Sequence, residues 1–125
     1  TISYKILYAN LMHDEKEIRW VGSSYEDLAA FPTEPRRQAG FELGKVQAGL
    51  EPGDWKPFDE VGAGTKEIRV KDANGIYRVM YVAKFDEAIY VLHCFQKKTQ
   101  ATGKPDKAIA QARYRAVVSA RKAKK

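Results

Sequence analysis

Residues 66–98 read KEIRVKDANGIYRVMYVAKFDEAIYVLHCFQKK. Their spacing predicts three consecutive strands. Glu67, Arg69 and Lys71 alternate with Ile68 and Val70, so the first strand has one buried face and one charged face. Asn74-Gly75 is a strong hairpin signal, because both residue types accept the positive φ of a two-residue turn. Residues 77–84 and 88–96 are apolar at successive positions, which suits strands in the middle of a sheet covered on both sides. A tight turn at residues 85–87 joins them. Long cations are disfavoured inside strands. Here Arg69 and Arg78 stand within them, His93 lies near the end of the last, and Lys97-Lys98 follow at once. Cations that recur in otherwise well-formed strands point to a sheet face that holds an anion, phosphate being the commonest.

Outward from this segment, the N-terminal side predicts a weak strand at Ile2, Tyr4, Ile6 and Tyr8, a charged turn at 13–17 and a short strand at 18–21. Ser23 and Ser24, each followed three residues later by an acid, mark a helix start, and that helix ends near Phe31-Pro32. Thr33 caps a second helix with Pro35 in its first turn; Ala39, Leu43, Val46 and Leu50 form its buried stripe. Gly40 and Gly44 offer close packing, and Gly49 helps to stop the helix. Residues 51–60 read as a surface loop pinned by Trp55 and Phe58. After a loop at Thr102-Gly103, Pro105 opens a last helix with an apolar stripe at Ile109, Ala112, Ala116 and Val117. The expected order is β-α-α-β-β-β-α, an α+β fold. It has one antiparallel sheet, a helical pair on one face and a basic helix near the other. Residues 1–125 are expected to form a single domain, with 1–17 an N-terminal extension and 119–125 a basic tail.

At 125 residues the chain can bury a core without staples. No apolar run approaches the roughly 20 residues that span a bilayer, and no secretory pattern opens the sequence. Cys94 is the only cysteine, so no intrachain disulfide forms, which fits a cytoplasmic location. The net charge of +6 is unevenly spread. Residues 97–125 hold ten lysines and arginines against one acid, Asp106, whereas residues 1–96 are net acidic. Such a basic cluster favours a polyanion through counterion release.

Other chemistries find little support. Cys94 lies in an apolar strand, where a thiol is ordinarily inert packing. His13, His93 and one cysteine offer no metal-ligand spacing, and Gly62-Ala63-Gly64-Thr65 lacks the lysine of a phosphate-cradling loop. No cofactor or metal is expected. The cationic set carries more. Arg78 either pairs with Glu67 or another acid across the sheet, or opens its fork to hold a phosphate bidentately. His93 near Lys97 and Lys98 can act as acid or base. RNA cleavage requires little else, because the substrate supplies its own 2′-hydroxyl nucleophile. The protein must orient it, stabilise the extra charge on phosphorus and move protons.

The segments WVGSSYEDLAAFP, RRQAGFELGKVQAG, KPF, EIRV, YRVMYV and especially YVLHCFQKKT, in this order, resemble the phage-derived host-killing (HigB-like) branch of the RelE/ParE toxin superfamily. The likeness spans residues 18–115. It implies a RelE-like α+β toxin of a type II toxin–antitoxin system, paired with a helix-turn-helix antitoxin. It further implies metal-independent cleavage of mRNA on the ribosome by basic and aromatic residues of the sheet face. Arg78 matches the family's strand arginine, Arg69 a basic residue one strand earlier, and Lys97 and Lys98 the basic patch after the last strand. On this reading Arg78, His93, Lys97 and Lys98 are catalytic. Arg69, Lys56, Phe95 and Lys104 bind RNA or phosphate. ParE-like relatives instead inhibit DNA gyrase, so a non-catalytic gyrase poison or a nucleic-acid-binding module is the alternative.

Overall fold

The computed structural model describes residues 15–97 and 101–124; the alternation at residues 2–8 and Lys98 lie outside them. The elements run β1 (Glu17–Trp20), α1 (Ser24–Ala29), α2 (Thr33–Gln47), β2 (Trp55–Pro57), β3 (Thr65–Asp72), β4 (Gly75–Val82), β5 (Ala88–Lys97) and α3 (Lys104–Ala123). The five strands form one sheet in the order β1-β5-β4-β3-β2. This is the expected α+β arrangement with two differences. First, part of the 51–60 loop is a strand, β2, antiparallel to β3. It is three residues long and holds Pro57, which cannot donate to a ladder and so suits only an edge. Second, β1 pairs with β5 in parallel, making the sheet mixed. Local periodicity marks a strand but carries no information about the direction of a partner some 70 residues away.

β4 and β5 are buried on both faces. On one side Ile68, Val79, Tyr81, Ile89, Val91 and Cys94 pack against Leu28, Phe31, Ala39, Leu43 and Val46 of the helical pair. On the other, Met80, Val82, Leu92 and Phe95 meet Ala110 and Val117 of α3, with Phe58 and Val61 from the loop beside them. Burial raises the Cys94 thiol pKa well above its ordinary value, so the group stays protonated and unreactive. Leu50, expected in the α2 stripe, is 60% exposed. The helix stops at Gln47, and Gly49 turns the chain with φ +83°.

The buried stripe of α3 also differs from the one expected. Ala110 and Val117 are buried, while Ile109, Ala112 and Ala116 face outward. The helix seats itself through polar side chains as well as apolar ones. Between Met80 and Tyr81 the β4–β5 register shifts, leaving Leu92 without a β4 partner. Arg113 donates to the Leu92 carbonyl (2.9 Å) and to the Ser23 hydroxyl (3.1 Å), and Tyr114 donates to the Ala63 carbonyl (2.7 Å). Buried carbonyls require partners, and Arg113 of α3 supplies one to Leu92, while the Tyr114 contact lies at exposed Ala63.

The β3–β4 hairpin forms where expected, but Asp72 pairs with Gly75, so the two turn residues are Ala73 and Asn74, and Gly75 opens β4. Gly75 has φ +143°, and a Cβ there would lie 2.9 Å from the Lys97 carbonyl oxygen, a backbone atom with little room to yield. Gly75→Ala is therefore expected to cost about 1–3 kcal/mol in urea denaturation. An unchanged midpoint would contradict this account of the turn.

The far end of α3 is clasped to the loop before β5. Arg121 donates twice to Glu87 (2.7 and 3.2 Å), and the Tyr90 hydroxyl donates to the same carboxylate (2.9 Å). The Arg121 guanidinium holds the Glu87 pKa down, from 4.5 to about 2. A carboxylate whose pKa is depressed by folding contributes stability above its unfolded pKa and loses it as pH falls through the folded value. Stability from this clasp is thus present at neutral pH and disappears between about pH 4.5 and 2. Urea midpoints of the wild type and Glu87→Gln are expected to differ at pH 6 and to converge toward pH 2. A gap independent of pH would rule the clasp out as the source.

Candidate functional site

Residues directly opposite in an antiparallel pair project to the same side of the sheet. Lys56 stands opposite Glu67, Arg69 opposite Arg78, Arg78 opposite Phe95, and Met80 opposite His93. The side facing α3 therefore gathers Lys56, Glu67, Arg69, Arg78, His93 and Phe95 from four strands, with Lys97 two residues beyond Phe95. Seven residues separated by up to 41 positions share one face. The cations do not face solvent as a bare patch, however. Each cluster is organised by an acid.

The inner cluster lies at the centre of the sheet. Arg78 and Glu67 are both wholly buried, and Arg78 Nη1 donates to Glu67 Oε1 at 2.7 Å. Thr102, from the loop that precedes α3, accepts from Arg78 (3.3 Å) and donates to Glu67 Oε2 (3.0 Å). Of the two expectations for Arg78, this geometry matches the pairing with Glu67 across the sheet, not the fork open to a phosphate. An acid on the adjacent strand and the same face engages the guanidinium, and Thr102 seals the pair from above. A buried charge persists only when paired and hydrogen-bonded, so the two residues require each other.

The outer cluster forms where β5 runs out and α3 begins. Asp106 sits in the first turn of α3, where the helix dipole favours a negative charge. One of its oxygens meets His93 Nε2 at 2.9 Å and the other meets Lys97 Nζ at 3.2 Å. An ionised carboxylate only accepts, so Nε2 carries the proton in this contact. His93 Nδ1 is buried with no partner among the described residues. Phe95 stacks on the imidazole, with centroids 4.7 Å apart and planes within 21°. His93 is 6% exposed and Phe95 8%, whereas the Lys97 side chain is 29% exposed. The ring is thus held by a carboxylate and an aromatic face, and Lys97 is the cation presented outward beside it.

The remaining expected residues lie around these clusters. Arg69 is bound to Asp54 (2.9 Å) and is partly buried. Lys56 lies over the Phe58 ring, 5.0 Å from its centroid. Lys104, the first residue of α3, is exposed. The sequence reading did not select Asp106, Thr102 or Asp54. Asp106 had a signal, being the single acid of a basic segment in the first turn of a proline-opened helix. Thr102 had none, because its partners are 24 and 35 residues away. Among the described residues no group of three or more His, Cys, Asp or Glu side chains is placed to hold a metal ion, and no helix is long and apolar enough to cross a membrane.

Chemically, the outer cluster combines an oriented imidazole with an accessible ammonium group, and a second lysine stands exposed nearby. That combination can bind phosphate and hold a proton close to it. Comparison with known proteins returned no matching curated protein and no matching solved structure. A family model described as "Phage derived protein Gp49-like" matches residues 26–115, a span holding every described residue of the two clusters. On that match, the chain belongs to the phage-derived Gp49-like family.

Proposed function

We propose that this protein is the toxin of a type II toxin–antitoxin pair of the RelE/ParE kind, cleaving mRNA on the ribosome without a metal. The observation that carries the reading is the meeting of His93, Asp106 and Lys97 beside exposed Lys104, at the start of the basic C-terminal segment. Lys97, Lys98 and Lys104 contact phosphates, with Lys56 and Arg69 extending the basic face. His93, oriented by Asp106 and Phe95, exchanges protons with the 2′-hydroxyl as it attacks phosphorus. With Nε2 engaged and the ring buried, this step requires the first turn of α3 to draw back as RNA binds. Arg78, sealed by Glu67, acts as a positioning residue that ties β4 to β3 and to the loop before α3 beneath the site.

A second reading is favoured by one specific observation: both Arg78 and His93 are buried and paired with acids. A non-catalytic binder of nucleic acid, or a gyrase inhibitor, needs only the outward lysines. Addition of the purified protein to translating ribosomes, with mapping of 5′ ends, separates the readings. Codon-dependent cleavage supports the nuclease, whereas intact messages sink it. A supercoiling assay then tests gyrase, and salt-dependent RNA affinity without cleavage identifies the binder. A small helix-turn-helix protein encoded next door would support the toxin pair under either reading.

A further inference from the structure

The opposite end of α3 carries a feature that the RNA reading does not use. A groove of about 620 Å³ runs between the last two turns of α3 and the end of β1 with the turn that follows it. Ala116, Val117 and Ala120 form one wall; Trp20, Val21 and Gly22 form the other. Ala116 and Ala120 are exposed and stand one turn apart, so a second helix can approach this wall closely without side-chain obstruction.

The groove is basic as well as apolar. Arg19, Arg121 and Lys124 line it against a single acid, Glu87. That acid is already engaged by Arg121 and Tyr90. Arg19 donates to the Tyr90 hydroxyl (3.1 Å) and also reaches Glu17, but the latter pair is exposed and adds little. Stacking on Phe85, at 3.8 Å from the ring centroid, holds the Arg121 guanidinium in place. The clasp thus fixes two arginines at the floor and leaves Lys124 exposed at the rim. An incoming carboxylate would meet preorganised cations, and an incoming apolar side chain would meet Val117 and Trp20.

We infer that this groove is a docking site for a short acidic amphipathic helix of a partner protein, seated along Ala116 and Ala120 with its carboxylates toward Arg19 and Lys124. The apolar wall selects against a free polyanion such as RNA, and the net positive lining selects against a second basic helix. The site lies at the other end of α3 from Asp106, some ten to eighteen residues or about 15–27 Å along the helix. Docking there leaves Lys97 and Lys104 uncovered.

The test uses a fluorescein-labelled peptide of about 16 residues, long enough to hold a helix, with leucines at i, i+3, i+4 and i+7 and glutamates elsewhere. Fluorescence polarisation is expected to show binding to the wild-type protein. Ala116→Glu and Lys124→Glu, both at exposed positions, should weaken that binding at least about tenfold. Arg115→Glu, exposed on the side of the same helix away from the groove, should leave it unchanged. Circular dichroism of each variant establishes that the fold is retained. The inference is overturned if the wild type does not bind the peptide, if Ala116→Glu binds it as well as the wild type does, or if a lysine-for-glutamate peptide binds equally. Sedimentation that shows a wild-type dimer abolished by Ala116→Glu would also overturn it, by assigning the groove to a second copy of this chain. Message cleavage is read separately, so failure of one proposal does not imply failure of the other.

Discussion

Arg78→Ala is expected to remove about 3–5 kcal/mol of folding stability, a large share of the roughly 5–15 kcal/mol that a domain possesses. The substitution leaves the Glu67 carboxyl wholly buried in the sheet without its guanidinium partner, while Thr102 still donates to it. Removing one partner of a buried ion pair is costly because the survivor keeps its desolvation penalty and loses its counter-charge. Glu67→Ala should cost a similar amount for the mirror-image reason. The double variant Glu67→Leu/Arg78→Met removes both charges while keeping side-chain bulk, and should return to within about 1 kcal/mol of the wild type. Urea denaturation of the four proteins tests this. A single-variant loss below about 1 kcal/mol would mean that the pair is not the structural element described. The result also governs how any activity data are read, since growth arrest lost in Arg78→Ala reports a damaged fold before it reports chemistry.

His93→Gln is expected to lower cleavage by about a hundredfold to ten-thousandfold, the usual contribution of a general acid or base. Glutamine can still donate to Asp106, but it cannot exchange a proton near neutral pH as imidazole can. RNA affinity should stay within about twofold, because phosphate binding belongs to the lysines. Lys97→Ala should do the reverse, weakening RNA binding and reducing its salt slope by about one phosphate contact. Single-turnover cleavage on programmed ribosomes, measured beside RNA affinity at several salt concentrations, distinguishes the two effects. Cleavage by His93→Gln at the wild-type rate would take the imidazole out of the mechanism and leave the binder as the better reading.

The α+β class, a hairpin between residues 72 and 75, the two doubly covered strands and the basic C-terminal helix follow from periodicity and turn chemistry. These are short-range properties, and the residues that set them lie within a few positions of one another. That Arg69 and Arg78 share a face was legible from alternation and the hairpin, but His93 and Lys97 join that face only through the register shift between Met80 and Tyr81, which alternation does not reveal. Asp106 was visible as an isolated acid at a helix start, though nothing local tied it to His93. The parallel pairing of β1, the rotation of α3 and the burial of Arg78 had no such local signature. Each depends on a partner far along the chain: Val91 for Trp20, the Leu92 carbonyl for Arg113, and Glu67 with Thr102 for Arg78. The sequence alone determined that cations would stand within and just beyond the central strands. Only the tertiary structure decided which of those charges face water, because a cation's exposure is set by whether a distant acid reaches it, and that distance exists only once the chain has folded.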